Sequence, residues 1–203
     1  MSGKTLPALV WGGLAIALGA AIALGARSAM APSRDPGAPR IPEFSLTDRT
    51  GRTVTRADLE GSWWVADFIF TRCTGICPLL TARMADLSRQ IPDVTLVSFS
   101  VDPDHDTPEV LARYADDVLP GGAPERWLFL TGSREALYAL IGEGFKLNVS
   151  DAAPAGAAAG ELVTHSDRLV LVDPEGYIRG YYHGTEEDAA ASVAGDLARL
   201  RRR

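Results

Sequence analysis

Only two cysteines, two lysines and three histidines occur among the 203 residues of the chain. One pair of thiols cannot staple a domain of this length, so the fold must be held by apolar burial and the thiols are free for chemistry. Arginine stands nearly everywhere a lysine would serve, a bias that reads as genome base composition and not as function. Long charged tracts are missing too: with 46% hydrophobic and 23% charged residues the chain is neither disordered nor fibrous. Its length allows about one or two domains. The formal charge of −6 is unevenly spread, residues 1–40 carrying +3 and the rest −9. An acidic body of this kind argues against a nucleic-acid partner.

What is present begins with a short tail, residues 1–5, and an uncharged run from Leu6 to Ala26. As a helix that run spans roughly 30 Å, about the hydrocarbon thickness of a bilayer, which predicts a single transmembrane anchor over residues 6–26. The alternative is a cleaved signal peptide, with Lys4 as its basic start and Ala29-Met30-Ala31 as a small-residue cleavage site. Residues 27–42 are rich in proline and read as an extended tether, leaving residues 43–203 as the folded domain.

Within that domain Phe44–Leu46 and Thr53–Thr55 flank Asp48-Arg49-Thr50-Gly51 as a hairpin, followed by a short helix at Arg56–Leu59. Trp63–Phe70 is a mostly apolar run suited to a buried central strand. Leu80, Met84, Leu87 and Ile91 recur at helical spacing, so a helix is expected over Pro78–Gln90. A strand over Val94–Val101 leads to a helix over Pro108–Val118, capped by Thr107 with proline at its first position. A strand at Trp127–Leu130 and a helix from Ser133 to about Gly142 come next, then an Ala/Gly/Pro loop over 150–160. Leu169–Val172 and Tyr177–Tyr182 form a second hairpin, and a last helix runs from Glu186, capped by Thr185. Strands alternating with helices, closed by a hairpin and a helix, imply an α/β sandwich of the thioredoxin kind with an N-terminal β-hairpin extension.

The chemistry gathers in Asp67-Phe-Ile-Phe-Thr-Arg-Cys73-Thr-Gly-Ile-Cys77-Pro78, between a buried strand and the helix after it. Four residues of helix advance about 6 Å, which puts Cys73 and Cys77 on one face within disulfide range. Such a pair exchanges disulfides, clamps a soft metal ion, or forms an inert bridge. The helix N-terminus and Arg72 are expected to favour the thiolate. A metal that cycles between oxidation states gains from an added imidazole, and His165, in the loop entering a core strand, is the best placed. His105 lies among acidic residues that suit a surface turn, and His183 ends a strand. Soft thiolates select Cu(I), and an imidazole lets the site also hold Cu(II). Asp67, six residues before Cys73, is either a buried carboxylate that accepts a proton during thiol exchange or an aspartate at the solvated end of a strand.

The chain resembles the Sco/SenC copper proteins, which assist assembly of the binuclear copper site of cytochrome c oxidase. The likeness rests on Phe70-Thr71-Arg72-Cys73 leading to Cys77-Pro78, on Ser100-Val101-Asp102-Pro103 leading to Asp106-Thr107-Pro108, on Leu130-Thr131-Gly132, and on Thr164-His165-Ser166 before Leu171-Val172-Asp173-Pro174-Glu175-Gly176. It implies copper ligation by Cys73, Cys77 and His165, and cytochrome c oxidase subunit II as partner, with other copper chaperones or thiol reductases upstream. It also implies a place on the bacterial inner membrane with the soluble domain in the periplasm. The chain departs from the commonest pattern between the cysteines, where Thr74, Gly75 and Ile76 replace a stretch containing Pro and Asp and leave the loop neutral. A metallochaperone is the leading expectation. A thiol:disulfide oxidoreductase that reduces the oxidase cysteines, using Cys73, Cys77 and Asp67, is the alternative, and a peroxidase fits the closely paired cysteines less well.

Overall fold

Apolar residues at every position of Trp64–Ile69 except Asp67 require a strand covered on both faces, and the sheet is arranged to supply that cover. The computed structural model describes residues 37–147 and 166–202. Strands β1 (Ser45–Asp48), β2 (Thr53–Thr55), β3 (Trp64–Ile69), β4 (Thr95–Ser100), β5 (Trp127–Thr131), β6 (Arg168–Val172) and β7 (Ile178–His183) form one sheet in the order β2-β1-β5-β4-β3-β6-β7. β3, β4 and β5 are parallel, β6 and β7 run antiparallel beside β3, and the β1–β2 hairpin extends the sheet antiparallel to β5. This is the thioredoxin-like core with its N-terminal hairpin. Helices α1 (Cys77–Gln90), α2 (Pro108–Asp117), α3 (Arg134–Ala139) and α4 (Ala189–Leu200) complete it, α3 passing into one wider turn at Leu140–Gly144.

Alternation along β3 divides the core. Trp64 and Phe68 join Phe99 and Phe145 in an aromatic cluster on one face, with ring centroids 5.0–6.5 Å apart. Val65, Asp67 and Ile69 point to the other face, and all three are fully buried. α1 starts where β3 ends because Pro78 sits in its first turn, where a missing N–H costs nothing, and it buries Leu80, Met84 and Leu87. α2 is capped by the Thr107 hydroxyl, which accepts from the Val110 N–H at 3.4 Å.

The proline-rich stretch ends on the domain: Ile41 is buried, its N–H donates to Gly176, and the Pro39 carbonyl accepts from Ile178. The last helix differs from expectation. It begins at Ala189, and Thr185 does not cap it because its hydroxyl donates instead to Asp167 at 2.8 Å. Among the described residues no helix is long and apolar enough to cross a membrane. The expected anchor at 6–26, the tether up to residue 36, the loop at 150–160 and His165 lie outside the described residues.

Candidate metal centre at the end of β3

Cys73 follows β3 in a turn, its N–H donating to the Phe70 carbonyl at 3.1 Å, and Cys77 opens α1. The two are therefore not one turn apart on a helix, as their spacing suggests: Cys73 precedes the helix and acts on its first turn, with the Cys77 N–H donating to Cys73 Sγ at 3.4 Å. Both are reduced, Cys77 being buried and Cys73 half-buried. Gly75 lies over the Cys73 sulfur, where an added Cβ would stand 4.0 Å from Sγ.

At Cys77 the electrostatics run against the expected stabilised thiolate. Burial foremost, then the hydrogen bond to Cys73 and the negative charge of Cys73 and Asp67, pushes the Cys77 thiol well above its ordinary range. Arg72 brings no net help, because its guanidinium is engaged by Asp102 at 2.5 Å. Beneath the cysteines Asp67 is fully buried, so it is not an aspartate at the solvated end of a strand. Neither of its oxygens has a partner with full hydrogen-bond geometry among the described residues. Burial lifts its pKa to about 7, offset only in part by Ser98, its register partner in β4, whose hydroxyl also accepts the Trp127 indole N–H.

The loop after β4 is not the surface turn its composition suggests. Asp106 is fully buried and accepts from the Thr71 N–H at 3.2 Å, the Thr71 hydroxyl at 2.6 Å and the Ser100 hydroxyl at 2.6 Å. Together with the pair Arg72–Asp102, this clamps the two residues before Cys73. Asp106→Ala would leave those donors unpaired, and a stability loss of about 2–4 kcal/mol is expected in urea denaturation. An unchanged midpoint would show that the clamp contributes nothing. The clamp was present in the sequence only as the spacing from Asp102 to Asp106, with no local sign of burial.

α1 and α2 meet beside Cys73 across a hydrogen bond between the Thr81 and Tyr114 hydroxyls, 2.6 Å apart. Burial raises the Tyr114 phenol to about 12. His183 donates its Nδ1–H to Asp167 Oδ2, 2.8 Å away, and His105 sits half-buried in the clamp loop. Among the described residues no cluster of three or more His, Cys, Asp and Glu is placed to hold a metal ion. Two soft thiols side by side nonetheless fit Cu(I), which accepts low coordination by sulfur.

A family model described as SCO1/SenC matches residues 33–201. The chain belongs to the SCO1/SenC family. The SCO1 protein homolog of Bacillus subtilis is 33% identical to this SCO1/SenC protein over 169 residues, 81% of this chain and 84% of that one. The chain spans about half the length of the mitochondrial relatives from cattle and zebrafish. Among solved structures, BsSco, described with a disulfide switch as a member of the Sco family of cytochrome c oxidase assembly proteins, is 31% identical with a TM-score of 0.70 over 84% of this chain and 98% of its own. Arabidopsis thaliana ScoI with copper bound is 26% identical with a TM-score of 0.65, over 80% of this chain and 98% of its own.

Proposed function

We propose that this protein is a membrane-tethered copper metallochaperone that carries its cargo on Cys73, Cys77 and His165 and assists assembly of the binuclear copper site of cytochrome c oxidase, delivering to subunit II. The observation that carries the reading is the contact of two reduced cysteines at the start of α1, one buried and one half-buried. The buried sulfur holds a soft ion away from water, while the half-buried one is reachable by an acceptor. His165 immediately precedes Ser166 and Asp167, which lead into β6. The antiparallel register pairing Ala66 with Val170 brings the start of β6 to the end of β3, where the cysteines are. Thiolates suit Cu(I), and the imidazole would add the donor that Cu(II) prefers.

The test is a titration of the reduced chain with each ion. Stoichiometric binding of both is expected, and His165→Ala should weaken Cu(II) much more than Cu(I), with loss of the Cu(II)–thiolate charge-transfer band. An unchanged band would remove His165 from the site and turn attention to His105 or His183. The residues 6–26 anchor, with the domain on the periplasmic side of the bacterial inner membrane, requires the mature protein to sediment with membranes. Soluble periplasmic protein beginning near Pro32 would contradict it.

A second reading, thiol:disulfide oxidoreductase, is favoured by one observation: the unpartnered Asp67 carboxylate on the face that carries α1. In that reaction the Cys73 thiolate attacks a partner disulfide and releases one partner thiolate. Cys77, its proton passed to Asp67, then attacks the Cys73 sulfur, closing the Cys73–Cys77 disulfide and releasing the second partner thiolate. Lack of stoichiometric binding of either copper ion would leave this reading in place.

A further inference from the structure

An open cleft of about 250 Å³ lies between α1 and α2, and Cys73 is part of its wall. Pro78 and Ala82 of α1 face Tyr114 and Val118 across it, and Asp117 stands at its edge. Leu79, next along α1, is the one large hydrophobic side chain that is exposed among the described residues. The cleft is therefore apolar inside and has a reactive or metal-bearing sulfur in its lining.

Its rim has the opposite character. α2 ends at Asp117, and its last turn contains Asp116 and Asp117 and no basic residue. Helix C-termini carry partial negative charge and are stabilised by cations, so two acids there oppose the helix that bears them. Asp117, which lines the cleft, has no ion-pair partner among the described residues, while Asp116 lies off the cleft beside Gly122. The cation earlier on α2, Arg113, lies a turn back, where it acts on Glu109. On the far side of Cys73, Arg72 is held by Asp102. A negative locus is thus left open beside an apolar cleft and a functional thiol.

We propose that this cleft seats an apolar side chain of a partner protein segment that also presents the accepting cysteine and an adjacent Lys or Arg, the cation being received by Asp117 at the negative end of α2. The inference rests on the reading of Cys73 as the sulfur that meets the partner. An apolar side chain in the cleft fixes the segment laterally, the cation fixes its direction along α2, and the partner's sulfur is left level with Cys73. Charge complementarity of this kind sets orientation and encounter rate more than it sets affinity.

The experiment uses the reduced full-length chain in lipid nanodiscs and two short peptides, Leu-Cys-Arg and Leu-Cys-Glu in otherwise identical neutral flanks. The peptide cysteine is blocked as a mixed disulfide with thionitrobenzoate. Attack of the Cys73 thiolate on the peptide sulfur releases thionitrobenzoate as a coloured anion and leaves the peptide on Cys73 until Cys77 displaces it as a thiol. At low salt the Arg peptide should react about five- to tenfold faster than the Glu peptide, and the gap should close at high salt. Replacing Leu by Gly in the peptide should slow the reaction, an effect that Ala82→Trp, which fills the cleft, should erase. The substitution Asp117→Lys should reverse the order of the two charged peptides. Equal rates for both on the wild-type chain, or a preference that survives Asp117→Lys, overturns the proposal while reaction with the small disulfide dithiobis(nitrobenzoate) leaves the thiol reading standing. Failure of Cys73 to react with any of the three disulfides overturns both.

Discussion

Replacement of either cysteine by serine should abolish tight Cu(I) binding, with a loss on the order of a thousandfold or more, equivalent to about 4 kcal/mol. A hydroxyl is a hard donor that stays protonated, and removing one sulfur from a two-sulfur site leaves Cu(I) without low-coordinate ligation. The two variants should differ in another respect. Cys77 is 3% exposed, so Cys77→Ser buries a hydroxyl in apolar surroundings and should cost about 1–3 kcal/mol of stability as well. Cys73 is half-buried in a turn, and Cys73→Ser should leave the denaturation midpoint nearly unchanged. Competition titrations against a Cu(I) chelator, read beside urea denaturation, separate the two effects. Wild-type affinity in Cys77→Ser would mean that the buried sulfur is not a ligand.

Asp67→Asn should change the pH dependence of stability over several kcal/mol. Burial pushes the folded carboxyl up to about 7 from its ordinary 3.8. Below the unfolded value both states are protonated and burial carries no penalty for ionisation. As the pH rises from about 4 toward 7, the unfolded chain ionises while the folded one keeps its proton, and stability falls by about 1.4 kcal/mol per pH unit. The loss levels off above the folded pKa at roughly 4 kcal/mol. Asparagine has no such titration, so the stability difference between variant and wild type should grow in the variant's favour between about pH 4 and 7 and be flat outside that range. The slope is the readout, since a buried amide has hydrogen-bond costs of its own. Thiol exchange near neutral pH should slow about tenfold or more, the low end for a positioned proton acceptor, with little change in copper affinity. A stability difference that does not vary with pH would place the Asp67 ionisation at its unfolded value.

Where local pattern and tertiary surroundings agree, the sequence is a sufficient guide. The apolar run around Val65 and Ile69 could only be a strand buried on both faces, and Thr107-Pro108 starts α2 with a cap and a preset backbone angle. Most of the failures involve partners distant in sequence. Thr185 is a good cap by type, but Asp167 competes for its hydroxyl from 18 residues away. Arg72 adjoins Cys73 in sequence, yet its charge goes to Asp102, 30 residues on. Asp67 was ambiguous because nothing within its own segment says how far a strand lies from solvent. Parallel pairing with β4 on one side and antiparallel pairing with β6 on the other put β3 in the interior of the sheet. The cysteine pair was legible as a reactive address, whereas the geometry between the sulfurs depends on where α1 begins.

The clamp on Thr71 couples the cysteine turn to the whole folding transition. Thr71 and Asp106 are 35 residues apart, and the contact forms only after β3 and β4 have docked and the loop between them has closed, with the entropy that closure costs. A chain that has not yet folded therefore carries its two thiols without a fixed turn to hold them. The site comes into being late, with the sheet, so a half-folded chain has no means of presenting copper in a defined geometry. Cargo bound to the finished site in turn favours the folded state by mass action, so a loaded molecule should resist proteolysis longer than an empty one.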